Sequence, residues 1–203
     1  MSYSEAGLDD LERGLDPLLS GGSVAEAVKA FQSAARQGIP EGYLQLARLE
    51  RENGNEGAAR DLIRQVEVLA EQEDAFANLS MAIFHDWKEG NGSSDEEEQK
   101  CERYLRRAAE LGHPMAQHML AQRLFRGSEG VAQDREAYEV WIMRAIEQGL
   151  PDAVVEHARN RLYSDQALEP WLLEKLKALA SEWEEAGELL QEVAAYRATP
   201  APL

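Results

Sequence analysis

The chain has 203 residues, 44% of them hydrophobic, which is enough to bury a core of its own. Its formal net charge of −17 excludes nucleic acid and anionic membranes as expected partners, because both would repel it. A single cysteine, Cys101, leaves no intramolecular disulfide, and we find neither a signal peptide nor a long apolar run. We therefore expect a cytoplasmic protein.

The first predicted element is a helix near residues 5–19, within an amino-terminal cap of residues 1–22. Beyond it, four segments share one pattern, in which a small residue is followed five positions later by alanine. The segments begin at Gly42, Ala77, Ala116 and Ala153, so that successive copies are 35, 39 and 37 residues apart. A period of this length is typical of stacked supersecondary units.

A turn signal precedes most copies. Gly38, Gly112 and Gly149 are each followed two positions later by proline, whereas the corresponding stretch of the second copy ends at Glu73. Glycine readily takes the left-handed conformation that ends a helix, and proline fits the first turn of the next helix. The pattern predicts helix pairs near residues 24–37 and 40–53, 56–72 and 74–88, 95–111 and 114–126, and 134–148 and 151–163.

Other signals complete the predicted elements. The spacings from Ser23 to Glu26 and from Ser94 to Glu97 predict capping boxes at two helix starts. Residues 88–94, rich in glycine and serine, are interpreted as a loop insertion that accounts for the 39-residue spacing. Residues 164–197 are predicted to form the carboxy-terminal cap, as one long helix near 168–197, followed by a disordered tail of residues 198–203.

These elements define an all-α fold with no competing strand pattern. We predict a single repeat domain over residues 1–203, with four helix pairs in residues 23–163. The helix pairs should stack into a right-handed α-solenoid between amino- and carboxy-terminal capping helices. Each helix is amphipathic, so that stacking must supply the burial that a lone pair lacks.

The third copy has an aromatic residue at Tyr104, followed by Ala-Ala at Ala108, Gly-His at Gly112 and Ala-Gln at Ala116, and Gly127–Asp134 forms a glycine-containing connector. By these motifs, residues 97–162 resemble the SEL-one-like repeats of the tetratricopeptide superfamily. Three features depart from the family pattern: a connector one residue longer, Tyr138 in place of alanine, and His157 in place of an apolar residue. Residues 24–93 resemble the family more weakly.

Catalytic chemistry is not indicated by the sequence. The histidines are His85, His113, His118 and His157, and no pair has the three- or four-residue spacing of a helical metal site. His157 is interpreted as a packed histidine and Cys101 as a buried, inert thiol. We expect no metal and no cofactor, and the prediction is that the chain is not an enzyme.

The resemblance implies an adaptor or scaffold that binds another protein. By analogy with tetratricopeptide geometry, a concave groove should be lined by Val28, Phe31, Ile63, Val66, Leu105, Arg106, Arg135, Glu139, Ile142 and Met143. An equally open alternative is that Phe31, Ile63, Leu105 and Ile142 are core residues. Two further functions stay open: a bacterial immunity protein or secretion chaperone that neutralises a basic effector, and, more distantly, an enzyme.

The acidic charge is unevenly distributed. Residues 99–163 hold about as many basic as acidic side chains, whereas the regions on either side are acidic. The charge is interpreted either as a solvated surface that keeps the protein soluble or as a surface complementary to a basic partner, such as a toxin. The sequence leaves the oligomeric state open.

Overall fold

The structure, a computed structural model, describes residues 3–20, 23–89, 95–127, 131–164 and 166–198. These ranges contain eleven α-helices and no β-strand. The helices are α1 Glu5–Ser20, α2 Val24–Arg36, α3 Pro40–Glu52, α4 Glu56–Glu71, α5 Ala75–Glu89, α6 Asp95–Glu110, α7 Pro114–Arg126, α8 Arg135–Glu147, α9 Pro151–Tyr163, α10 Pro170–Leu179 and α11 Glu184–Ala198. The predicted all-α class and the four helix pairs are confirmed.

The chain divides into two compact units, Met1–Ala116 and Gln117–Leu203, here called unit 1 and unit 2. In the described residues of both units, no helix has the length and apolar character needed to cross a membrane. The handedness of the stack and the single domain over residues 1–203 stay predictions.

The turns within the helix pairs follow the predicted chemistry. Gly38, Gly112 and Gly149 have φ angles of 80°, 92° and 83°, in the left-handed region. The N–H of the residue after each glycine donates to a carbonyl five residues earlier, as in the 3.1 Å bond from Ile39 to Ala34. This arrangement satisfies a carbonyl at the helix end and sets the direction of the next helix. The predicted glycine turns are confirmed.

Glu73 occupies the same turn position in the second pair. Its φ angle is 64°, and the following residue, Asp74, donates to the carbonyl of Leu69 at 3.3 Å. The turn therefore has the geometry of the glycine turns but is built with a residue whose Cβ opposes that conformation. Asp74 then begins α5 by accepting a 2.8 Å bond from the N–H of Ala77.

Two apolar clusters form the core of unit 1. One joins α1 and α2 around Phe31 and Ile39, and the other joins α3, α4 and α5 around Val66 and Met81; all four side chains are fully buried. A Cβ at Gly14 would lie 2.4 Å from the Phe31 ring. The absence of a side chain at Gly14 therefore allows α1 to approach α2 closely.

Unit 2 has a core that combines large apolar side chains with buried alanines. Leu120, Ile142 and Leu172 are fully buried, as are Ala121 and Ala158. These two alanines are the ones that end the repeated pattern in the third and fourth copies.

The predicted single capping helix over residues 168–197 is corrected by the structure. The chain leaves helical conformation after Leu179, and α11 begins at Glu184, with the Trp183 carbonyl accepting a bond from the N–H of Gly187 at 3.2 Å. Because the chain turns at residues 180–183, α11 contacts both α9 and α10. A straight helix would have carried the apolar face of α11 away from α9; that face consists of Ala186, Leu189 and Val193, all buried.

The cap predicted at Ser23 is also corrected. Ser23 occupies the N-cap position of α2, but its hydroxyl makes no capping hydrogen bond. Asp134 provides a side-chain cap instead at α8, where its carboxylate accepts from the N–H of Ala137 at 3.0 Å. The predicted cap at Ser94 lies outside the described residues, as do most of the loop insertion, the middle of the connector and residues 199–203 of the tail.

Candidate protein-binding grooves

The ten residues predicted to line a partner groove fall into two sets of five. Phe31, Ile63, Val66, Leu105 and Ile142 are buried in the cores of their units, with at most 9% of their surface exposed. Their burial fits the alternative that such positions are core residues, so none of them offers its side chain to a partner. The other five keep accessible surface; they are Val28, Arg106, Arg135, Glu139 and Met143.

In unit 1, an open groove of about 560 Å³ lies over α4, α5 and α6 and contains Arg106. We call it the arginine groove, because α6 contributes Arg103, Arg106 and Arg107 to it. The remaining lining residues are Ala70, Glu71, Asn78, Tyr104 and Glu110. Leu105 points the other way, into the core, so that one turn of α6 is apolar inside and basic outside.

The three arginines differ in the number of carboxylates with which they form ion pairs. Arg106 Nε lies 2.6 Å from Glu102, and Arg107 is bound by Glu73 and, at 3.3 Å, by Glu110. Arg103 instead lies with its guanidinium 5.2 Å from the ring centroid of the neighbouring tyrosine. Among the described residues it has no carboxylate within ion-pair distance. Arg103 therefore presents hydrogen-bond donors that the surrounding chain does not use.

The floor of the arginine groove is fixed by buried polar contacts. Asn78 is 2% exposed, and its amide donates to the carbonyls of Ala70 at 3.1 Å and Asp74 at 2.9 Å. The bond to Ala70 joins the end of α4 to the beginning of α5. Tyr104 lies half-buried against the apolar cluster of α3 to α5. A groove with a rigid floor loses little conformational entropy on binding.

In unit 2, a second depression of about 270 Å³ contains Arg135 and Glu139 and is here called the His157 pocket. It is lined by Phe125, Arg135, Glu136, Tyr138, Glu139, His157, Asn160, Arg161, Ser164 and Gln166. Arg135 lies over the Phe125 ring at 5.6 Å, and Glu139 keeps 47% of its side chain exposed. Two of the predicted groove residues thus border one depression.

The base of the His157 pocket is a buried hydrogen-bonded chain. The amide of Asn160 donates to the Tyr138 hydroxyl at 3.1 Å, and that hydroxyl donates to His157 Nδ1, also at 3.1 Å. The histidine ring also stacks on Trp171, with centroids 6.2 Å apart. Tyr138 and His157 are the two side chains by which the sequence departs from the repeat pattern, and the structure shows that they are partners.

The surroundings of His157 favour its neutral form. Burial, followed by the positive charge of Arg161, lowers the pKa of His157 to about 4. Burial also raises the pKa of Tyr138 above its usual range, so the hydroxyl remains a donor. His157 is therefore a packed histidine, as predicted, with 2% of its surface exposed. The hydrogen bond that it accepts holds α9 against α8.

The remaining residues singled out in the sequence are placed as follows. Cys101 is 1% exposed, which confirms the predicted buried thiol. His113 stacks on Phe76 at 5.9 Å within unit 1. His118 Nε2 lies 2.8 Å from a carboxylate oxygen of Glu156 in unit 2. The part of the chain that the structure describes contains no group of three or more His, Cys, Asp or Glu side chains suited to a metal ion.

Sequence reasoning missed Arg103 and Arg107 as groove residues. The signal was present in the spacing, since arginines at positions i, i+3 and i+4 share one face of a helix. It was obscured by the acidic start of the same helix, which has four acidic residues in its first turn.

The fold defines the class of this protein as an all-α repeat protein. No protein-family model and no curated protein sequence matches the chain. A Sel1 repeat protein from Oxalobacter formigenes is similar in structure, with a TM-score of 0.58 and 24% identity over 92% of this chain. The structure of c5321, a protective antigen of uropathogenic Escherichia coli with an SLR fold, is similar with a TM-score of 0.56 and 22% identity over 90% of this chain.

The particular fold is therefore that of the SEL1-like repeat (SLR) proteins, which confirms the resemblance predicted from the sequence. The chain spans only part of both similar proteins, 55% of the Oxalobacter protein and 40% of c5321.

Proposed function

We propose that this chain is a non-enzymatic protein-interaction module, an adaptor or scaffold that holds a segment of another protein in the arginine groove. The observation that carries the proposal is the convergence of three accessible arginine side chains on one open groove in a chain of net charge −17. Like charges at positions i and i+4 of a helix repel each other, and a binding role gives Arg103 and Arg107 a reason to share one face despite that cost.

The dimensions of the groove favour a protein segment over a small ligand. Sites for small molecules are mostly apolar and enclose the greater part of their ligand. The arginine groove is open along α6 and combines guanidinium groups with the half-buried ring of Tyr104. Arginine and tyrosine are also the residue types that contribute most binding energy at protein interfaces.

A second candidate function is an immunity protein or secretion chaperone that neutralises a basic effector. The net charge of −17 favours it, because an acidic surface accelerates the approach of a basic protein. In that case the association rate should fall clearly between low and physiological salt, since exposed charges are screened beyond about 8–10 Å. The dissociation rate should change much less. An association rate that does not depend on salt would argue against this candidate.

The experiment for the proposed function begins with site-specific photo-crosslinking. A photoreactive residue replaces Arg106 in one sample and Arg60, an exposed residue elsewhere on α4, in the matched control. A partner held in the groove should crosslink from position 106 and not from position 60. The purified partner should then bind Arg106→Gln about tenfold more weakly than it binds Arg60→Gln, since a charge-assisted hydrogen bond contributes roughly 1.5–3 kcal/mol. Equal affinity for the two variants would contradict the proposal.

A further inference from the structure

We propose that the occupant of the arginine groove is an acidic, extended segment of the partner protein, with carboxylates on alternate residues. This inference rests on the proposed function and names the chemistry of its partner. It differs from the expectation drawn from total charge, which favours a basic partner.

The balance of charges within the groove is the first argument. Its two carboxylates are already paired, Glu110 with Arg107 at 3.3 Å and Glu71 with Arg64 at 3.5 Å. Arg103 has only an aromatic ring beside it among the described contacts. A basic segment would therefore meet the guanidinium of Arg103, unpaired among the described residues, whereas a carboxylate would gain charge-assisted hydrogen bonds there.

The availability of donors is the second argument. A guanidinium group has five N–H donors in a planar fork that fits a carboxylate. Arg106 is bound to Glu102 through Nε, and 47% of its side chain remains exposed. Arg107 keeps 42% of its side chain exposed while bound to two carboxylates. Among the described residues, Arg103 thus offers a free position for an incoming carboxylate. Arg107 offers a second position if the carboxylate replaces Glu73, whose exposed ion pair with Arg107 contributes little stability.

The spacing of these two positions sets the conformation of the segment. Arg103 and Arg107 are four residues apart on one helix, which places their backbones about 6 Å apart along its axis. In an extended chain, side chains on the same face are two residues apart, about 6.6 Å. Carboxylates on alternate residues of an extended segment therefore match the two arginines. The ring of Tyr104, which lies beside Arg103 and lines the same groove, provides apolar surface for the segment.

The test measures the binding of labelled peptides to the full chain by fluorescence anisotropy. The probe is a nine-residue peptide with aspartates at alternate positions, and the first control contains the same number of aspartates in one contiguous run. Two further controls replace aspartate by asparagine or by lysine. The alternating aspartate peptide should bind most tightly, about tenfold more tightly than the asparagine peptide. The lysine peptide should not bind.

Variants of the protein locate the binding site. Arg103→Gln and Arg107→Gln should each weaken binding of the alternating peptide about tenfold, whereas Arg60→Gln should leave it unchanged. Circular dichroism verifies that all three variants remain folded. Equal binding of the aspartate and asparagine peptides, or equal loss in Arg60→Gln, would overturn the inference.

A competition experiment with the free partner, once crosslinking has identified it, separates this inference from the proposed function. The alternating aspartate peptide should displace the partner from the wild-type chain. If binding of the partner depends on Arg106 but the peptide does not displace the partner, the inference of an acidic segment is overturned. The proposed interaction function then still stands. If the peptide binds but no partner crosslinks from position 106, the proposed function fails on its own.

Discussion

At the scale of single residues, Glu73 is the position where sequence and backbone conflict. It takes a φ angle of 64° at a turn where three other copies have glycine. Left-handed conformation costs a residue with a Cβ roughly 1–2 kcal/mol. Glu73→Gly should therefore raise the free energy of unfolding by about 1 kcal/mol, after allowance for the greater chain entropy of glycine when unfolded. Urea denaturation measures the change.

The matched control is Glu73→Ala, which also removes the ion pair with Arg107 but keeps the backbone strain. That pair is exposed, so its loss should cost little. The glycine variant should be more stable than the alanine variant. Equal stability of the two variants would show that the turn imposes no strain.

His157 predicts how stability depends on pH. Its pKa is about 4 in the folded protein, below the value of about 6.5 for an unfolded chain. The unfolded state therefore binds a proton more tightly than the folded state. The contribution of neutral His157 to the free energy of unfolding is complete above about pH 6.5 and is lost as the pH falls towards 4. The loss should be about 3 kcal/mol, at roughly 1.4 kcal/mol per pKa unit.

The measurement compares wild type with His157→Gln by chemical denaturation at several pH values from 7.5 to about 4, a range chosen to span the two pKa values. The variant should be less stable at neutral pH and should depend less steeply on pH. His113, whose pKa burial also lowers, is present in both proteins and cancels in the difference. Identical pH dependence of the two proteins would show that His157 is not buried in its neutral form.

At the scale of helices, close contact between α2 and α3 depends on Gly42. A Cβ at this position would lie 2.8 Å from the backbone nitrogen of Ala35 and 3.0 Å from the carbonyl oxygen of Phe31. Backbone atoms cannot move aside without shifting a helix. Gly42→Ala should therefore lower the free energy of unfolding by roughly 1–3 kcal/mol.

Gly57 provides the matched control in α4, because nothing lies within 4 Å of the position its Cβ would take. Gly57→Ala should raise stability by up to about 1 kcal/mol, the usual difference between these residues in a helix. Thermal unfolding followed by circular dichroism measures both variants. A change of the same sign in both would refute the close approach of α2 and α3.

The helices themselves were predictable because glycine and proline mark their ends. The predicted bounds of α3 and α9 agree with the structure to within one residue. The break between α10 and α11 was not predictable, since Ala180-Ser-Glu-Trp183 contains neither glycine nor proline. That turn is set by tertiary contact, because it brings the apolar face of α11 onto α9 and α10.

At the scale of the whole molecule, the candidate site was only partly predictable. Apolar periodicity identifies the buried face of a helix but does not say whether that face meets the chain's own core or a partner. Leu105 was placed in a groove for this reason and is a core residue. Arg106 on the same helix was assigned to that predicted groove as well. In the structure it lines the arginine groove, and its contact with a partner stays a prediction. Tyr138 and His157 are 19 residues apart in the sequence, so their contact could be identified only from the three-dimensional structure.

Binding of a partner protein in the arginine groove is tested most directly by the affinity of that partner for two triple variants of equal net charge. One variant changes Arg103, Arg106 and Arg107 to glutamine. The control changes three exposed arginines elsewhere in unit 1 to glutamine; they are Arg13, Arg36 and Arg60.

Crosslinking from position 106 identifies the partner. Isothermal titration calorimetry with that purified partner then gives the dissociation constant for each folded variant. We expect the groove variant to bind at least about tenfold more weakly than wild type, and the control variant to bind as wild type does. Full affinity of the groove variant, or an equal loss in both variants, would contradict the account.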